Sequence, residues 1–297
     1  MSQQRRISRV VNVPPLTPGF FGHGHLAAHV VSPEDFTLHD PFILLTDDHF
    51  DTGDRPFGEP HPHAGFETVT LMLDGAIYDR DAGAIAAGEM QWMTAGRWII
   101  HGEHMMTKGN ARVLQLWLTL PKERRWDAPG LQMIHTDAVP VRREPGVEIR
   151  VYSGTSGSVR SATQNQVPVT IVEMLIDRHR SVDQEISASY NGFVFPVRGS
   201  VRIGENAVSL KAGEVGWLDR DHSDGTSVLR VAAGDEDVRL MLYAGQPQGD
   251  RIISAGPFIG DVPDDIVTLY SDYRAGRFVR MSTLSRASRA SAFEAER

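Results

Sequence analysis

Apolar residues along this chain alternate with polar ones over short stretches and rarely recur at helical spacing, which predicts strands almost throughout. From Ala111 to Pro121 the run ARVLQLWLTLP sets Val113, Gln115, Trp117 and Thr119 against Leu114, Leu116, Leu118 and Leu120, so one face of that strand should be wholly apolar. Residues 41–50, PFILLTDDHF, predict an apolar strand followed by an acidic turn in which Asp47 and Asp48, with Asp51 beyond, bond their own backbone. Alternation returns from Thr68 to Leu73, in VEIRVY at 147–152 and in VTIVEMLID from Val169. Gly75, Gly83, Gly88 and Gly96 punctuate the first of these regions, which is the texture of tight hairpins in a small β-barrel.

The texture occurs twice. MLDGAIYD…AIAAGEMQWMTAG and PVRGSVRIGENAVSLKAGEVGWLDR both run strand, glycine turn, strand, glycine turn, strand, so two antiparallel barrels in tandem are predicted. The charged, Pro-Gly-containing stretch KERRWDAPGLQ marks the boundary, giving domains at 1–132 and 133–297. PPLTPGFFGHGHLAAHV suggests an irregular lead-in over the first 40 residues. The one clear helical spacing lies near 264–278, with Ile266, Leu269, Tyr270 and Tyr273 on one face, Asp264 as N-cap and Gly276 as the stop. The Ser-, Arg- and Ala-rich tail after it should be frayed or form a loosely docked helix.

Composition narrows the function. With 297 residues and 41% hydrophobic content the chain can bury a substantial core, while a net charge of -8 without basic runs argues against a nucleic-acid groove. There is no cysteine, which excludes disulfides, thiolate-bound metals and a thiol nucleophile. The first residues lack the apolar core of a secretory signal, and no run of ~18 apolar residues occurs, so a cytoplasmic location is expected.

Between His61 and Glu103 the pattern carries chemistry. His61 and His63 open this stretch, His101 and Glu103 close it, and each pair is separated by one residue. Side chains two apart on a strand share a face, so four metal-ligand types converge if the two strands are neighbours. Three imidazoles and a carboxylate suit Fe(II), Mn(II), Ni(II), Cu(II) or Zn(II) and leave positions for water, substrate or dioxygen. Glu67, four residues after His63, has the same parity but starts about twice as far from its histidine as Glu103 does from His101. His23, His25 and His29 lie among glycines and read as solvated loop histidines. The second half has no matching pairs, and its late histidine, His222, sits in a polar loop, so a second metal centre is not expected. Gln91, Trp92 and Met93 read as barrel filling; Phe66 either walls the cavity or closes the core, and Arg97 and Trp98 either line the pocket or pack.

HPHAGFETVTLMLDG, GEMQWMTAGRWIIHGE, LQLWLTLPKE and GPFIGDVPDDIVTLYSDYRAG, in this order, resemble the pirins of the cupin superfamily across nearly the whole chain. The resemblance implies an all-β bicupin, two barrels packed face to face with a short C-terminal helix. One non-haem iron would sit in the N-terminal barrel on residues matching His61, His63, His101 and Glu103. It also implies a flavonol 2,3-dioxygenase activity on a quercetin-like substrate, or a regulatory role through a protein partner. Two stretches depart from the family pattern. Asp79, Arg80, Asp81 and Ala82 replace its H-x-D-S, and His104, Met105 and Met106 follow the H-x-E in place of a shorter turn.

Two functions follow. As an enzyme, the chain would let a flavonol chelate the metal through neighbouring oxygens, with Glu103 taking the hydroxyl proton, and cleave it with O₂ to a ring-opened ester and carbon monoxide. As a non-enzymatic metal or redox sensor, it would use the same ligands but need no cavity reaching them.

Overall fold

The computed structural model describes residues 3–53, 55–80, 82–102, 105–107, 109–221 and 223–284, Asp35 for its backbone alone. Glu103, His104, Asp81, His222 and the tail from Ser285 lie outside the described residues.

The strands fall into two compact units, though not into the consecutive halves 1–132 and 133–297. One unit comprises Pro15–Leu38, Phe42–Asp137 and the chain from Gln248; the other comprises Met1–Pro14, His39–Pro41 and Ala138–Pro247. Division at 132 would cut the strand Gly130–Ile134, which pairs along its whole length with Met90–Thr94. The lead-in is likewise more regular than its prolines suggest: Ile7–Asn12 is a strand paired antiparallel with Glu214–Leu218 of the second unit.

In the first unit a seven-stranded antiparallel sheet runs in the order Gly130–Ile134, Met90–Thr94, Phe66–Asp74, Ala111–Thr119, Phe42–Phe50, His25–Val31, Thr17–Pro18. Two three-stranded sheets and the pair Ile253–Ala255 with Phe258–Gly260 accompany it. One joins Val279–Arg280, Ile99–His101 and His61–His63; the other joins Met106–Thr107, Ala76–Asp79 and Gly83–Ala86. Ala111–Thr119 obeys its alternation: Leu114, Leu116, Leu118 and Leu120 are at most 1% exposed. Each such leucine contributes on the order of 2 kcal/mol of burial.

The acidic turn after Thr46 does not form, because Phe42–Phe50 is paired on both edges and remains a strand to its end. Side chains satisfy its carboxylates: from neighbouring strands Arg112 donates twice to Asp47, at 2.8 and 2.7 Å, and His25 bonds Asp48 at 2.9 Å, while Thr46 on the same strand donates to Asp48 at 2.6 Å. Bonding of these acids to their own backbone loses to side chains, Arg112 and His25 being far away in sequence.

The second unit repeats the hairpin order with Asn191–Arg198, Ser200–Ile203, Val208–Lys211 and Glu214–Leu218. Its interior is aliphatic, including Val151, Val172, Val194, Leu210, Leu229 and Leu242. Among the described residues no helix is long and apolar enough to cross a membrane.

The predicted helix spans Pro263–Arg274 and belongs to the first unit. Its N-cap is Val262 rather than Asp264; the Asp265 carboxylate accepts from the backbone N–H groups of Asp261 and Val262, at 2.8 and 3.0 Å. Gly276, with φ +68°, follows the last turn as expected. Ile266 and Leu269 pack with Phe258, Phe278 and Ala64, so the helix buttresses the residue next to His63.

Arg125, fully buried, ties this region together. Its Nε donates to Asp261 at 2.7 Å and an Nη donates to the Gly65 carbonyl at 3.0 Å, fastening the chain just beyond His63 to the approach to the helix. Replacing Arg125 by Leu strands the half-buried Asp261 carboxylate and the Gly65 carbonyl. Urea unfolding of Arg125→Leu should therefore show a loss of about 3–5 kcal/mol; a loss under about 1 kcal/mol would mean that the pair is dispensable.

Candidate metal centre

His61–His63 and Ile99–His101 are adjacent antiparallel strands, with His61 directly opposite His101 and His63 opposite Ile99. Convergence of the histidines thus follows from strand pairing. Ring centroids lie 4.9 Å apart for His61 and His63, 4.4 Å for His61 and His101, and 4.9 Å for His63 and His101. One nitrogen from each lies within 4.8 Å of the others.

The protonation pattern suits ligation. His61 Nδ1–H donates to the Glu59 carbonyl at 2.9 Å, which leaves its Nε2 lone pair for the cluster. His101 is half-buried as a residue, yet its Nε2 is out of solvent and has no hydrogen-bond partner. Burial lowers the pKa of His61 and holds His63 and His101 well below the usual histidine range, with neighbouring imidazoles adding repulsion at the latter two. The backbone of Pro257 opposes this at His63, but least of the influences acting there. Neutral imidazoles around one point, with the buried His101 Nε2 unmet among them, fit a borderline divalent cation.

Gly102 allows the rings to close up. Its φ is +86°, and a Cβ there would lie 2.8 Å from Cε1 and 3.0 Å from Nδ1 of His61. Glu103, the expected fourth ligand, lies outside the described residues. The competing carboxylate, Glu67, does not share the face of His63. Between them Gly65 takes φ +89°, where a Cβ would lie 2.0 Å from the Ile259 carbonyl oxygen, and two-residue parity is broken. Glu67 is fully buried and accepts from Thr94 Oγ1 at 2.6 Å, whereas Thr68 and Thr70 face the interior.

The histidines open onto a cavity of about 590 Å³ within the first unit. Phe21, Phe50, Met105 and Trp117 supply apolar wall, and Trp117 meets both His63, at 5.4 Å, and Phe66, at 4.3 Å. Phe66 itself is fully buried behind that wall. Trp98 packs on Phe278 and Trp92 and Met93 are core, but Gln91 faces the cavity.

His25 is not a solvated loop histidine. It is 3% exposed, stacks on Phe50 at 4.5 Å, donates from Nε2 to Asp48 and accepts the Phe21 N–H on Nδ1 at 3.1 Å. The flanking glycines hid this, because His25 starts the strand His25–Val31 instead of ending a loop. Through Phe21, whose ring lies 6.0 Å from that of His61, it holds the residues 19–25 turn against the histidine cluster.

Residues 25–118 match the family description Pirin, and residues 171–279 match the Pirin C-terminal cupin domain. The chain belongs to the pirin family. Pirin-like protein 2 of Arabidopsis thaliana is 32% identical over 265 residues, spanning 86% of this chain and 81% of the relative. The solved structure of GK1651 from Geobacillus kaustophilus is 36% identical, covers 84% of this chain and all of its own, and superposes with a TM-score of 0.77. Two further structures share the fold at lower identity. Quercetin 2,3-dioxygenase from Acinetobacter baumannii has TM-score 0.81 at 23% identity, covering 92% and 98% of the two chains. The Escherichia coli pirin YhhW in complex with nickel(II) has TM-score 0.58 at 19%, covering 83% and 99%. The all-β architecture of this pirin-family chain is a bicupin.

Two predictions follow from the geometry. A methyl group at Gly102 must push the His61 ring aside and also meets an unfavourable φ, so Gly102→Ala should weaken divalent-metal uptake at least tenfold in equilibrium dialysis. Wild-type affinity in that variant would show that the His61 position is immaterial. The second concerns pH. Because the three folded-state pKa values lie below the unfolded value of about 6.5, metal-free protein takes up protons on unfolding in that window. This contribution to stability is complete above the unfolded pKa and declines as pH falls toward the folded values. The melting temperature of metal-free protein should therefore drop on acidification below about pH 6.5, and His101→Gln should flatten the drop. An unchanged slope in the variant would contradict the assignment.

Proposed function

We propose that this pirin is a metal-dependent dioxygenase acting on a flavonol-like small molecule, with His61, His63, His101 and Glu103 holding one divalent metal, Fe(II) by preference. The observation that carries the reading is the cavity of about 590 Å³ that reaches the imidazole cluster. A regulator that only sensed metal or redox state would need no such space. The quercetin 2,3-dioxygenase and the nickel-bound pirin among the fold relatives support an oxidoreductase on a divalent metal, and the donor set is equally compatible with Mn, Ni, Cu or Zn.

When bound, the metal supplies Lewis acidity and access to dioxygen. The chain's own contribution is positional. His61, fixed by the Glu59 carbonyl, presents Nε2; His63 and His101, kept neutral by burial, each present a ring nitrogen without first losing a proton. Phe21, Phe50 and Trp117 exclude water beside them and offer flat surfaces to an aromatic ring. Glu103 is assigned two roles, as the fourth ligand and as the acceptor of the substrate hydroxyl proton.

The test is metal analysis followed by anaerobic titration with quercetin and then exposure to O₂. Wild-type protein should carry one divalent metal per chain, change its metal spectrum when quercetin binds, and consume O₂ only with both present. His63→Ala should lose the metal, and Glu103→Ala should lose most metal affinity and all turnover, whereas Glu67→Ala should retain metal. Tight quercetin binding with an unchanged metal signal, or full activity in Glu103→Ala, would overturn the reading.

A further inference from the structure

One level of the cavity wall is polar on five adjacent strands. Gln91 pairs with Thr70, Thr70 with Gln115, Gln115 with Thr46 and Thr46 with His29, and all five side chains face the cavity. Thr70 Oγ1 donates to Gln115 Oε1 at 2.8 Å, so neighbouring members are already joined. The adjoining same-face level contains Trp117, which touches His63. The band therefore lies one step, about 6.7 Å along the strand, from the level that meets the histidines.

The second barrel provides an internal control. Thr70 stands five residues before the hairpin glycine Gly75, as Val194 stands before Gly199; Gln91 follows Gly88 by three residues, as Gly216 follows Gly213. The row paired through Val194 reads Gly216, Val194, Leu242, Val172 and Val151. Its four aliphatic members are 0% exposed and fill that interior. At the matching level of the first barrel, Thr70, Gln115 and Thr46 are half-buried and open to the cavity. Amides and hydroxyls at a level that the same fold packs with aliphatic side chains weaken the core unless they meet a polar ligand.

The charges around the cavity restrict that ligand. Asp48 and Asp79 line it, and among its described lining residues there is neither lysine nor arginine. A carboxylate group at the band would enter beside two acids with no lysine or arginine among the described lining residues to receive it. A hydroxyl can both donate to and accept from the band.

We propose that the Gln91–Thr70–Gln115–Thr46–His29 band is a recognition site for a neutral, hydroxyl-bearing part of the ligand, and that the cavity rejects ligands carrying a carboxylate at that place. The inference rests on the metal reading above, since the metal fixes the ligand's other end.

The probes are three hydroxypyranones with the same chelating head and one varied substituent: allomaltol with methyl, kojic acid with hydroxymethyl and comenic acid with carboxylate. Titrated into nickel-loaded protein, kojic acid should bind about fivefold tighter than allomaltol, the worth of one net hydrogen bond, and comenic acid weakest. Thr70→Val/Gln115→Leu should lose the preference for kojic acid over allomaltol, with nickel content unchanged. Should that variant fail to fold, Thr46→Val and Gln91→Leu singly should each narrow the preference. The same order, at weaker affinity, is expected in metal-free protein by ligand-observed NMR, so failure to take up nickel would sink the metal reading while the order still tests the band. Equal binding of kojic acid and allomaltol, tightest binding of comenic acid, or no binding of any of the three would overturn the proposal.

Discussion

The pairing of His61–His63 with Ile99–His101 is the constraint on which the rest of this site depends. Each strand is only three residues long, and such a pair has little stability of its own. Its position is therefore set by what surrounds it. Arg125 grips the Gly65 carbonyl on one side, the Pro263–Arg274 helix packs near Ala64, and Val279–Arg280 adds a parallel strand to Ile99–His101. Residues 263–280 thus support histidines supplied by strands far earlier in the chain.

Burial then sets the chemistry of those ligands. Removing imidazoles from water penalises their charged forms, and clustering them penalises it again, so the fold holds neutral donors in contact with one another. Crowded histidines without a cation lose solvation and gain little in return, a cost that metal binding reverses. The same economy of position separates the two barrels. One row of five residues holds four aliphatic side chains and a glycine in the second and five polar side chains in the first, where it lines a cavity with walls able to hydrogen-bond.

Most of the fold was legible in the sequence because strand alternation and hairpin glycines are local signals. The three histidines were legible for the same reason: a spacing of two on a strand gives His61 and His63 a shared face, and the pairing of the two strands sets His101 beside them. What escaped depends on partners far along the chain. Asp47 and Asp48 read as turn residues until Arg112 and His25 are seen across the sheet, and Ile7–Asn12 shows no reason to be a strand until Glu214–Leu218 lies beside it. Glu67 has the parity of His63 in the sequence but not its face, with Gly65 at a positive φ between them. Gln91, Gln115, Thr70 and Thr46 look unremarkable singly and acquire meaning only in register.

X-ray absorption at the metal edge of nickel-loaded protein tests the central claim most directly, because imidazole multiple scattering counts histidines in the coordination shell. The account predicts a nitrogen and oxygen shell containing three imidazoles, falling to two in His101→Ala. A shell with one imidazole or none, or one unchanged by that substitution, would contradict it.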